Sequence, residues 1–127
     1  MRIKIIRGTN PVIQLRISDG ELLADSDSYV TVRKKLADRE KAVDSTIGEV
    51  QIALNADGSE NTDTDGNTFS IAGNTATLAF SRNSTKKMEY GVYYIQFNLK
   101  DKDGKLFANK PDIIDVQINL TDFSEGE

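Results

Sequence analysis

Glu89-Tyr90-Gly91-Val92-Tyr93-Tyr94-Ile95-Gln96-Phe97-Asn98-Leu99-Lys100-Asp101-Lys102-Asp103-Gly104 decides how this chain is read. Tyr93, Ile95, Phe97 and Leu99 fall on one side of the run, and Tyr94, Gln96, Asn98 and Lys100 on the other. A period of two marks a half-buried antiparallel strand, because successive side chains of a pleated backbone point to opposite faces. Gly91 opens the strand, and Asp103-Gly104 closes it with hairpin turn chemistry.

The same alternation recurs on both sides of that run. Upstream, Arg2 to Ile6 reads as a short strand ended by Gly8-Thr9-Asn10-Pro11. Val12 to Ser18 places Ile13, Leu15 and Ile17 on one face before Asp19-Gly20. Ser28 to Lys35 turns Val30 and Val32 inward and leaves Thr31 and Arg33 wet. Leu36 to Ser45 is the stretch with helical flavour; it is short and uncapped, so a structured loop fits equally well. Glu49 to Leu54 resumes as a strand, and Asn67 to Ala72 is expected to be its hairpin partner across a polar tip. Thr75 to Ser81 follows a Gly73-Asn74 turn. Asn83 to Met88 reads as a polar corner between sheets, with Met88 plugging its end. Downstream lie a short piece, Lys105 to Asn109, and a last strand, Asp112 to Thr121.

Eight or nine short strands, joined by Gly, Asn and Asp turns with at most one short helix, predict an all-β antiparallel sandwich. One domain over residues 1–121 and a frayed acidic tail over 122–127 complete the expected layout.

Composition narrows the chemistry. The 127 residues contain no cysteine and no histidine, and 20 acids outnumber 16 bases for a net charge of −4. No thiol nucleophile, disulfide or Ser-His-Asp triad can be built, and the commonest general base is missing. An acidic balance argues against nucleic acid, whose binding rests on neutralised phosphates. Met1 to Arg7 lacks the apolar core of a signal peptide, and no segment is long enough to span a bilayer as a helix, so a soluble chain without membrane partners is expected.

Five groups of residues invite a functional reading. Asn61, Asp63 and Asp65, followed by Gly66, have the spacing of the first half of a calcium loop. The position where a bidentate Glu would close that loop is Ala72, so the rival reading, a solvated hairpin tip without metal or cofactor, is favoured. Tyr93 is read as a structural tyrosine whose ring packs inward while its hydroxyl bonds backbone near the preceding loop. Tyr29, Tyr90 and Tyr94 could share an exposed aromatic patch. Arg33, Lys34, Lys35, Arg39 and Lys41 form a basic cluster, read as a solvated strand end or as a rim for an acidic partner. Asp101 and Asp103 share a turn with no apolar pocket, which disfavours acid/base catalysis.

The acid-x-Gly-x-Tyr spacing of Glu89, Gly91 and Tyr93 resembles the tyrosine corner of immunoglobulin-like sandwiches. More broadly, several stretches in order resemble the small immunoglobulin-like domains of phage virion proteins, notably the N-terminal domain of baseplate upper proteins. They are Ile5-Ile6-Arg7-Gly8-Thr9-Asn10, Val12 to Ile17 with Asp19-Gly20, Tyr29 to Lys34, Gly91 to Phe97 with Asp101 to Gly104, and Asp115 to Thr121. The chain departs from that pattern in a longer Asn55–Asn67 stretch, and a stand-alone copy would imply a small accessory subunit. The resemblance implies a non-enzymatic structural or adaptor subunit of a phage particle (baseplate, tail or head attachment), assembled in the host cytoplasm. Its partners would be other virion proteins or further copies of itself, with Arg2–Ile6 and Lys105–Asn109 as docking pieces. A carbohydrate- or cell-surface-binding module is the alternative from another class; against it, the chain has no Trp to stack on a sugar ring.

Overall fold

The computed structural model describes residues 2–16, 27–34, 48–101 and 103–117. Within them the chain is a two-layer β-sandwich of ten strands: β1 (Arg2–Ile6), β2 (Val12–Arg16), β3 (Tyr29–Lys34), β4 (Val50–Ala53), β5 (Asn61–Thr62), β6 (Thr68–Ala72), β7 (Thr75–Ala79), β8 (Gly91–Lys100), β9 (Leu106–Ala108) and β10 (Asp112–Gln117). Six strands form one sheet in the order β1-β10-β8-β3-β4, with β9 beside the far end of β8; the other sheet runs β2-β7-β6-β5. One helix, α1 (Arg82–Lys87), carries the chain from β7 across to β8.

Alternation along each strand builds the core. Tyr93, Ile95, Phe97 and Leu99 of β8 are each 2% exposed or less, and Val30 and Val32 of β3 are fully buried beside them. Phe69, Ala76 and Leu78 come from the opposite sheet and are fully buried as well. The two layers meet where Phe69 and Phe97 pack at 6.2 Å between ring centroids, tilted by 42°. Such offset aromatic contacts add to the burial that holds sheets face to face.

Three features differ from the sequence expectation. The strand β1 pairs with β10 in parallel, Ile3 opposite Ile114 and Ile5 opposite Val116, so the sandwich is not wholly antiparallel. Glu49–Leu54 and Asn67–Ala72 do not form a hairpin. Instead β4 pairs with β3, while β6 lies between β5 and β7 in the other sheet. Alternation fixes which side of a strand is apolar but not which layer the strand joins, so adjacency in sequence misled here. The tenth strand, β5, sits inside the stretch read as a loop tip. The Leu36–Ser45 segment, Ile17, Asp19-Gly20, Ile118, Leu120 and the acidic tail lie outside the described residues.

The passage from β1 to β2 switches the chain between layers and is held firmly by α1. Arg7 Nη2 donates to the Lys86 carbonyl at 2.7 Å and Nη1 to the Tyr90 hydroxyl at 2.9 Å, with the guanidinium 4.9 Å from the Tyr90 ring centroid. Gly8 N–H donates to the Thr85 hydroxyl, which in turn donates to the Thr9 carbonyl. Gly8 has φ of +79°, the left-handed conformation this turn requires. Ser81 caps α1 by accepting from Ser84 N–H at 3.0 Å, and Met88 is buried at its end as expected.

Candidate interaction surfaces

The calcium candidates are placed near one another but are occupied with the fold. Asp63 Oδ1 accepts from the N–H groups of Asp65 and Asn67, and its Oδ2 accepts from Asn67 Nδ2 at 3.0 Å. Asp65 Oδ1 pairs with Lys87 Nζ at 2.5 Å. Asn61 turns away, donating through Nδ2 to the Ala53 carbonyl. Asn67, fully buried, ties this turn to α1: its Oδ1 accepts from Ser81 N–H and its Nδ2 donates to the Ser84 hydroxyl. Among the described residues no group of three acidic side chains is arranged to hold a metal ion. The turn is therefore a hydrogen-bonded staple between β5, β6 and α1. In the preceding turn the Ser59 side chain and N–H hold the exposed Asp57 carboxylate below its ordinary range. Because both Asp63 oxygens already have donors, millimolar calcium is expected to leave the melting temperature unchanged. A clear upward shift would mean that an ion displaces the staple.

Tyr93 does what the corner reading asks. Its ring is 1% exposed, and its hydroxyl accepts from Glu89 N–H at 3.0 Å. Gly48, at φ of +75°, lies directly over that hydroxyl. Burial pushes the Tyr93 pKa from its ordinary 10.0 up to about 12, with the Glu89 and Glu49 carboxylates adding to the rise and the Glu89 N–H opposing it. The folded state thus holds the phenol proton more tightly than the unfolded chain. The corresponding stability is fully present below pH 10.0 and is lost as the pH climbs through about 12. Tyr93→Phe is expected to cost about 1–2 kcal/mol at neutral pH by stranding a backbone donor. It should also flatten the loss of stability above pH 10.0, which denaturant melts across the alkaline range would read.

The proposed aromatic patch and the basic cluster are both smaller than their sequence versions. Tyr29 and Tyr94 share the outer face of the six-stranded sheet, whereas Tyr90 lies under Arg7 just ahead of β8 and does not line that face. Lys34 leaves the basic cluster altogether: it is 5% exposed and its amine pairs with Glu89, while its N–H donates to Glu49. Arg33 is exposed on the outer face, and Lys35, Arg39 and Lys41 lie outside the described residues. Asp101 is buried at the end of β8, where its Oδ1 accepts from the N–H groups of Asp103 and Lys105 and shapes the hairpin into β9.

That hairpin carries a feature not anticipated from sequence. Leu106 is 79% exposed, the most exposed large apolar side chain among the described residues. Among the described residues its strand, β9, pairs with β8 alone. The next residue, Phe107, packs against the core, so Leu106 is held out on an anchored strand beside a notch of about 160 Å3 that Tyr29 and Asn98 also line. The alternation of a three-residue strand is too brief to announce this in a sequence.

The chain matches no family model, and no curated protein matches it.

Proposed function

We propose that the protein is a non-enzymatic structural or adaptor subunit of a phage particle, acting through contacts with other virion proteins or with further copies of itself. Strand order carries this reading. With β2, β3, β4, β6, β7, β8 and β10 taken as strands B, C, C′, D, E, F and G, the two sheets read G-F-C-C′ and B-E-D. That order supports a variable-type immunoglobulin-like reading of the sandwich. A short helix before strand F and the Tyr93 corner within F add to the likeness. These features support the immunoglobulin-like layout; the phage assignment rests on the resemblance of the sequence stretches quoted above.

The contact surface proposed is the β9 edge. The side of β9 that pairs with no described strand can accept a partner's strand, and Leu106 can enter an apolar pocket on that partner. Deleting β1 is a poor test of docking, because Ile5 is fully buried and the strand is hydrogen-bonded along its length to β10. Leu106→Glu is the better one. An exposed side chain contributes little to folding, so the melt should stay within about 0.5 kcal/mol of the parent. The parent chain is expected in sedimenting particles of the phage that encodes it, and the variant in the soluble fraction. A parent chain that never sediments with particles, or a variant that assembles normally, contradicts the proposal.

A further inference from the structure

We propose that the outer face of the six-stranded sheet is a carbohydrate-binding groove for an oligosaccharide of a few pyranose units. This goes beyond the scaffold reading and does not depend on it.

The face is a shallow concavity of about 310 Å3 formed where β3, β4 and β8 run side by side. Cross-strand register arranges it in three rows. Thr31 lies between Gln51 and Gln96 in the middle row; Tyr29 with Asn98 forms one flanking row, and Arg33 with Tyr94 the other. A strip of amides and a hydroxyl is thus bracketed by two tyrosines. Four residues along β3 and one strand across separate the two tyrosine backbone positions by roughly 14 Å, the reach of a short oligosaccharide rather than of a single sugar.

Charge and hydrogen bonding point to the class of ligand. Charged residues make up 28% of the chain, yet among the eight described residues that line the groove Arg33 is the one with a charged side chain. Among the described residues no hydrogen bond engages the side chains of Tyr29, Thr31, Gln51, Tyr94 or Asn98, and Gln96 uses Nε2 alone, donating to the Asn109 carbonyl. Each amide offers a donor and an acceptor side by side, a pair that matches vicinal hydroxyls as it matches the edge of a base. Tyrosine rings offer flat apolar surface to the C–H face of a pyranose while their hydroxyls remain wet. A polyhydroxylated, uncharged chain satisfies all of these groups at once. Nucleic acid would demand several cations here, and the described lining supplies one arginine.

The test uses the full chain on a broad glycan array, followed by calorimetry with soluble cello-, xylo-, malto- and chito-hexaoses. At least one glycan class is expected to bind with a Kd of about 10 μM to 1 mM, as an open groove with few contacts allows. Tyr29→Ala and Gln51→Ala, both at solvent-facing positions, should each weaken that binding about tenfold with unchanged melts. Tyr94→Ala provides a third reading, interpreted only where its melt shows it folded. No binding to any glycan overturns the proposal, and so does binding that survives the Tyr29→Ala/Gln51→Ala double variant. A groove found covered by another protein in assembled particles, with no glycan bound, overturns it too. Sedimentation of the same variants with particles is scored separately, so loss of glycan binding and loss of assembly are distinguishable.

Discussion

Phe69→Ala is expected to destabilise the protein by about 3–5 kcal/mol, the cost of a large ring removed from a core that cannot fully collapse. Phe69 is fully buried and its ring meets Phe97 across the two layers, so the cavity would open at the seam of the sandwich. Domains of this size are stable by about 5–15 kcal/mol, so the variant would lose a large share of its margin. Chemical denaturation measures it directly. Phe69→Leu, which refills most of the volume, should recover much of the loss. A cost below about 1 kcal/mol for Phe69→Ala would mean that the layers do not pack against each other at this point.

Gly48→Ala should be nearly as damaging, for a different reason. At φ of +75° any side chain strains the backbone, which costs about 1–2 kcal/mol. A Cβ here would also stand 2.6 Å from the Tyr93 hydroxyl and 2.8 Å from Met88 Cα, and the second of these is backbone that cannot swing aside. Together the two effects bring the expected loss to at least about 3 kcal/mol. Because the Tyr93 hydroxyl supplies one of the clashes, Gly48→Ala combined with Tyr93→Phe should cost less than the sum of the single changes. Strict additivity would show that Gly48 and the tyrosine corner are independent.

These two sites illustrate what the amino-acid sequence could and could not disclose. Phe69 stood in phase with Ile71 in an alternating strand, and its inward position was legible from that period alone. The same is true of Tyr93, Ile95, Phe97 and Leu99, since a sheet with one buried face writes its pattern directly into residue order. Gly48 gave no such signal, because the reason for it is an atom of Tyr93 that the fold brings over it. Lys34 is in phase with the inward Val30 and Val32, but its charge argues for solvent, and the partner that permits its burial, Glu89, is distant in sequence. Asn61, Asp63 and Asp65 had the spacing of a metal loop, yet the nearest backbone donors and Lys87 engage the carboxylates. The parallel pairing of β1 with β10 left no trace either, since alternation is the same whichever way a neighbour runs. Of the surfaces described, the outward positions on β3 and β8 were readable from period, but their union with Gln51 into one groove required the register between strands.

Site-specific photocross-linking tests the docking account most directly. A photoreactive phenylalanine analogue placed at position 106, in particles assembled with the full chain, would report what covers β9. Cross-links to another virion protein or to a neighbouring copy of this chain are the expected result. Particles that contain the protein yet yield no intermolecular cross-link from position 106 would contradict the assignment of β9 as the contact edge.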